Sequence, residues 1–215
     1  MNKAVLFDLD GTLLDTVHDI ADKVNQTLTH FGYPTLTVTQ IMQRIGNGSK
    51  MLIKNSIGVP VSEEHFNIVL GWFLKLYAGE PDTKTKPFDE ILQVLQILKE
   101  RGYKLAIVTN KPQPATDKIC RELLSSVGFD KIIGQSGTVK CKPDKTATLN
   151  LLNELNVQPE NAYFVGDGET DVLTAINAGI NGISVLWGYR SKSQLLDAGA
   201  KVFANKPSDL LSLIS

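Results

Sequence analysis

The chain has 215 residues, 42% hydrophobic and 21% charged, enough apolar material for a large core and too much for a disordered chain. Its formal net charge of −1, with no block of like charges, gives no electrostatic support for nucleic acid or an anionic membrane as partner. Cys120 and Cys141 form no close-spaced metal motif and are expected as free thiols in a reducing, cytoplasmic setting. The apolar run after Lys3 is too short for a secretion signal, and no stretch approaches the ~18 apolar residues of a membrane span.

The first element is a short apolar run, Ala4–Phe7, of the length of a buried strand. It ends in Asp8-Leu9-Asp10-Gly11-Thr12. Residues two apart in extended chain share a side, so Asp8 and Asp10 begin on one face, and Gly11 lets the backbone turn away. Two carboxylates that close repel one another, and a hard divalent cation is the usual remedy. The opening residues therefore point to metal-assisted chemistry on an anion.

Val17, Ile20, Ala21, Val24, Leu28 and Phe31 then recur at helical spacing, and Gly32 followed by Pro34 closes that helix. Further amphipathic stretches at 38–45, 51–57 and 63–77 are broken by Gly46, Gly48, Gly58 and Pro60. The spacing predicts a separate helical unit over 16–81, inserted into a core made of 1–15 and 82–215. Residues 79–82 and the polar 83–87 read as a linker. Beyond it, Ile91, Leu92, Leu95 and Leu98 mark a helix stripe, and 104–108, 132–133, 162–165, 183–186 and 202–203 are strand candidates. Strands alternating with helices predict an α/β fold, a doubly wound, Rossmann-like parallel sheet.

Polar clusters follow three of these strands, where open α/β sheets bind ligands. They are Asp8 and Asp10, then Thr109-Asn110-Lys111, then Gly166-Asp167-Gly168-Glu169-Thr170-Asp171, with Lys142-Pro143 between the last two. Each alone has an ordinary explanation as a turn or helix cap. Their shared position at one sheet edge makes a joint site.

Together, these motifs resemble those of the haloacid dehalogenase superfamily of aspartate-nucleophile phosphotransferases. Asp8-Leu9-Asp10-Gly11-Thr12-Leu13 is similar to the first motif, Thr109-Asn110 to the second, Lys142-Pro143 to the third and Gly166-Asp167 with Asp171 to the fourth. The helical insertion resembles that family's C1 cap. Arg44-Ile45-Gly46-Asn47-Gly48 and Thr109-Asn110-Lys111-Pro112 are most similar to the phosphoglycolate phosphatases. Asp144-Lys145-Thr146 after motif three and Gly168 in motif four depart from the common pattern, which bears on loop shape rather than on the reacting groups.

The resemblance implies a Mg2+-dependent phosphatase acting on a small phosphomonoester, phosphoglycolate first. Asp8 would be the nucleophile and Asp10 the acid/base. Asp8, the Asp10 main-chain carbonyl and Asp167 would hold the metal, with Asp171 as brace or further ligand. Lys142 would supply positive charge between Asp8 and the phosphoryl oxygens, which Thr109 and the Asn110 main-chain N–H would bind. Arg44 is expected to meet the non-phosphate end of the substrate. A phosphomutase, or a binding module with a vestigial site, are the alternatives. Oligomeric state is not set by the sequence. His18, His30 and His65 lack metal-ligand spacing, and Trp72, Phe73, Tyr77, Trp187, Tyr189 and Arg190 are expected chiefly to pack.

Overall fold

The computed structural model describes residues 2–80 and 82–215; Pro81, within the expected linker, lies outside the described residues. The elements are β1 (Ala4–Phe7), β2 (Leu14–Asp15), α1 (Val17–His30), α2 (Val38–Met42), α3 (Gly48–Ile57), α4 (Glu63–Gly79), β3 (Lys86–Pro87), α5 (Ile91–Glu100), β4 (Lys104–Pro112), α6 (Gln113–Leu123), β5 (Lys131–Gln135), α7 (Thr146–Glu154), β6 (Ala162–Gly166), α8 (Glu169–Ala178), β7 (Asn181–Val185), α9 (Lys192–Asp197), β8 (Phe203–Ala204) and α10 (Leu210–Leu213).

Six strands form one parallel sheet in the order β5-β4-β1-β6-β7-β8. Its α/β architecture is the one expected. β1 is central, and all four of its residues are completely buried, as a strand covered on both faces requires. Because side chains alternate, Val5 and Phe7 pack with α5, α6 and α10, whereas Ala4 and Leu6 pack with α7 and α8 on the other face. Chain order reverses at β1, so the carboxyl ends of β1, β4 and β6 frame a crevice.

Helices α1–α4 bury a third apolar cluster, with Val17, Ile20, Val24 and Leu28 of α1 against Phe66, Val69, Phe73 and Tyr77 of α4. Ala115 from α6 belongs to the same cluster, so this helical layer is seated on the sheet's own helices. The aromatic residues of α4 divide: Phe73 and Tyr77 stack inward with centroids 5.0 Å apart, while Trp72 stacks on His30 at 4.6 Å.

Three expectations need correction. Residues 83–87 are not a free linker: Lys86–Pro87 pairs antiparallel with Leu14–Asp15, so the two crossings to the helical layer run side by side. Buried Asp19 fastens them by accepting backbone N–H bonds from Thr83, Lys84 and Thr85. Two-residue strands carry no periodicity, which is why the sequence does not announce them. In α5, Leu92 is 39% exposed and Val94 takes its place in the core. Finally, Thr109, Asn110 and Lys111 lie inside β4 rather than after it, in a stretch where the register with β5 shifts between Val108 and Pro112.

Candidate active site

The end of β1 fixes Asp8, whose amide donates to the Val165 carbonyl at 2.9 Å and so stays aligned with β6. The backbone then turns through Gly11 at φ +85, where a Cβ would lie 2.4 Å from Asp167 Oδ2. Gly188 closes from the other side, where a Cβ would lie 2.2 Å from Asp167 Cβ. Only glycine fits at these two points. Between them Asp167 Oδ1 accepts from Thr12 Oγ1 at 2.9 Å and Oδ2 from the Tyr189 amide at 2.8 Å. Asp171, in the first turn of α8, accepts from the Gly168 amide at 2.9 Å, which ties it to that helix's N-terminus.

Lys142 stands between the two outer carboxylates, its Nζ 2.9 Å from Asp8 Oδ1 and 2.6 Å from Asp171 Oδ1. Its loop is held by Asn110, whose Oδ1 accepts from the Lys142 amide at 2.7 Å and whose Nδ2 donates to the Lys142 carbonyl at 3.2 Å. The same Asn110 Nδ2 reaches the Gly46 carbonyl at 2.9 Å, so this one amide links motif three to the helical layer.

Burial raises the pKa of Asp8, with Lys142 opposing and Asp171 adding to the rise. Burial, reinforced by the charges of Asp171 and Asp8, pushes Asp167 up to about 7. Burial disfavours the Lys142 ammonium, but Asp171 and Asp8 outweigh it and hold that pKa above its ordinary value. Three buried carboxylates against one ammonium leave net negative charge in a dry site.

Asp8, Asp167 and Asp171 each offer an oxygen, all within 4.8 Å of one another. Asp8 Oδ1 is buried, and the polar group that meets it is the Lys142 ammonium at 2.9 Å. An all-oxygen, anionic donor set of this kind fits a hard divalent cation.

Asp10 faces the other way. Its carboxylate is 3.1 Å from Lys111 Nζ, and Lys111 also donates to the hydroxyl of Tyr77 from α4. Lys111 and Tyr77 are both buried, and burial disfavours the Lys111 ammonium, but Asp10 and Tyr77 hold its pKa above the usual lysine value. Asp8, Asp10, Thr109, Asn110, Lys111 and Tyr77 line a narrow cleft, whose remaining wall is Ile20, Ile45, Gly46, Gly48, Ser49, Leu52 and Pro112.

Arg44 is not in this cleft. Its Nε donates to the Asn55 carbonyl at 3.2 Å and its Nη1 to Gln40, on the outer side of the helical layer beside Lys50 and Lys54. Here it is Gly46, in the loop from α2 to α3, and Gly48 and Ser49, at the start of α3, that line the cleft, because the buried Ile41 and Ile45 commit Arg44 to the opposite side.

Sequence reasoning gave no separate role to Lys111, Thr12, Tyr189 or Arg190. Lys111 was visible as the third member of a polar cluster. Tyr189 and Arg190 had no signal beyond following a strand, yet Arg190 is buried, pairs with Glu169 at 2.9 Å and donates to the Met42 and Ile45 carbonyls.

A buried acidic centre at the carboxyl edge of a parallel sheet, roofed by helices, is the site of an α/β enzyme. The chain belongs to the haloacid dehalogenase-like hydrolase family, which it matches over residues 5–185. It is 35% identical over 213 residues to the phosphoglycolate phosphatase of Aquifex aeolicus, covering 99% of this chain and 96% of that one. It is 31% identical to phosphoglycolate phosphatase 1 of Pseudomonas aeruginosa, covering 97% and 78% of the two chains. Among solved structures, a protein of Lactobacillus delbrueckii subsp. bulgaricus, provisionally described as a phosphoglycolate phosphatase, superposes with a TM-score of 0.91 at 31% identity, over 100% of this chain and 99% of that one. No helix among the described residues is long and apolar enough to cross a membrane.

Proposed function

We propose that this hydrolase is a Mg2+-dependent phosphatase of small phosphomonoesters, with phosphoglycolate as the first candidate and residues 16–81 serving as its cap. The observation that carries this reading is the convergence of Asp8, Asp167 and Asp171 on one point, with Lys142 inserted between two of them. The names of the relatives support the choice of substrate.

Asp8 attacks phosphorus and forms a P–O bond as the P–O bond to the alcohol breaks, leaving an aspartyl-phosphate. Asp10 gives its proton to the departing alkoxide. It then takes one from the water that attacks the aspartyl-phosphate, releasing inorganic phosphate and restoring Asp8. Lys142 steadies the Asp8 carboxylate and the phosphoryl oxygens, and Thr109 and the Asn110 main-chain N–H hold those oxygens. Asp8, the Asp10 main-chain carbonyl and Asp167 would hold Mg2+, with Asp171 bracing Lys142 and the motif-four loop. When bound, the ion offsets the repulsion between carboxylate and phosphate and stabilises charge in the transition state.

The test is phosphate release from phosphoglycolate by the purified chain with and without Mg2+. Turnover that needs Mg2+ and disappears in Asp8→Asn is the expected result. Failure of the wild type to hydrolyse any phosphomonoester would defeat the reading.

A further inference from the structure

The cleft is polar at its floor and apolar at its roof, and it contains one cation that hydrolysis of a phosphate ester does not by itself require. Lys142 is shared by two carboxylates, Asp8 and Asp171. Lys111 is held by one carboxylate, Asp10, and by the neutral hydroxyl of Tyr77. Its three donors meet Asp10 Oδ1 at 3.1 Å, Asp10 Oδ2 at 3.5 Å and the Tyr77 hydroxyl, and the long Oδ2 contact is the one that a closer anionic acceptor would replace.

The other basic residues near the helical layer are committed elsewhere. Arg190 is taken up by Glu169 and the carbonyls of Met42 and Ile45, and Arg44 lies on the outer face. Among the described residues, Lys111 is the single basic side chain lining the cleft. Ile20, Ile45 and Leu52 opposite it offer nothing to a polar substrate tail, so they leave anion recognition to Lys111.

Position decides which anion. Lys111 Nζ is 3.1 Å from Asp10 Oδ1, and Asp10 is the group that meets the ester oxygen in the proposed reaction. A carboxylate carbon joined to that oxygen through one methylene lies about 2.5 Å from it, two bonds away. A tail of that length brings its carboxylate to the Lys111 ammonium while its ester oxygen rests at Asp10.

Resting on the phosphatase reading, we propose that Lys111 is the specificity-determining residue of this enzyme, selecting phosphate esters that carry a carboxylate one carbon from the ester oxygen. Tyr77, reaching down from α4, is its positioning residue and makes the choice depend on the helical layer.

The experiment compares phosphoglycolate with ethyl phosphate, which has the same two-carbon frame and no carboxylate, using the full chain with Mg2+. Wild type should prefer phosphoglycolate in kcat/KM by about 100-fold, the scale of a buried charge pair. Lys111→Met should reduce that preference to within about three-fold, chiefly through KM, while Lys111→Arg keeps at least about ten-fold. Equal loss on both esters in Lys111→Met would show that Lys111 only steadies Asp10, and would overturn the inference. An inhibition measurement on the wild type covers the case of a misfolded variant. There, 3-phosphonopropionate should inhibit para-nitrophenyl phosphate hydrolysis at least about 30-fold more tightly than propylphosphonate. Equal inhibition by the two, or equal turnover of the two esters, overturns the inference and leaves the phosphatase standing. Absence of turnover on every phosphomonoester defeats the phosphatase reading, and this inference with it.

Discussion

Two buried lysines pair with the two carboxylates that follow β1, Lys142 with Asp8 and Lys111 with Asp10, and they sit in opposite surroundings. Lys142, on the sheet side, pairs with two of three clustered carboxylates, and its backbone is clasped by Asn110. Lys111, on the helical side, meets one carboxylate and one phenol under a roof of aliphatic side chains. The sheet side therefore carries surplus negative charge, which suits a cation and charge transfer to phosphorus. The helical side is nearly neutral and dry, which suits recognition of what the phosphate is attached to. In a fold that keeps its reacting groups at strand ends, this division lets the roof vary while the floor stays fixed.

The contrast breaks most directly at Asp8. Asp8→Asn should lower turnover about 10⁴-fold or more in a phosphate-release assay, because the nucleophile is lost while packing is kept. Undiminished activity would remove the floor from the chemistry altogether. Lys142→Met should cost about 10²- to 10³-fold in kcat on every phosphate ester alike, the scale of one preorganised charge. A loss confined to phosphoglycolate would erase the distinction between the two lysines.

The surplus charge of the floor has a pH signature. Folding moves Asp167 from an ordinary 3.8 to about 7, so between those values the folded metal-free chain holds a proton that the unfolded chain has released. That contribution to stability is fully present below about pH 4 and is lost as pH rises through about 7. Since a cation must displace the same proton, added Mg2+ should raise Tm more at about pH 8 than at about pH 5.5. Equal shifts in thermal melts at the two pH values would show that Asp167 does not face the ion. The smallest effect belongs to Arg44→Ala, which should leave kcat/KM within about two-fold on phosphoglycolate and ethyl phosphate. A clear change in preference would return Arg44 to the site that its hydrogen bonds place it outside.

Much of this was legible along the chain. The uninterrupted apolar run of β1, the 3.6-residue periodicity of α1 and the polar residues stationed at strand ends are local patterns, and each follows from backbone geometry and burial. They were enough to expect a parallel α/β sheet with a helical insertion, and to gather Asp8, Asp167, Asp171 and Lys142 into one place. The partners of Lys111 could not be read this way, since Tyr77 and Asp10 are far apart in sequence and meet only when α4 settles on the sheet. Nor could the side to which Arg44 turns, because Arg44 and Gly46 lie two residues apart in an irregular loop whose facing is set by Ile41 and Ile45 entering the core. The sequence by itself determined which groups are charged and which strand ends they occupy, because period and polarity are properties of neighbouring residues. Tertiary structure alone decided how those charges are paired, because distances across a cleft depend on packing between elements that no local pattern encodes.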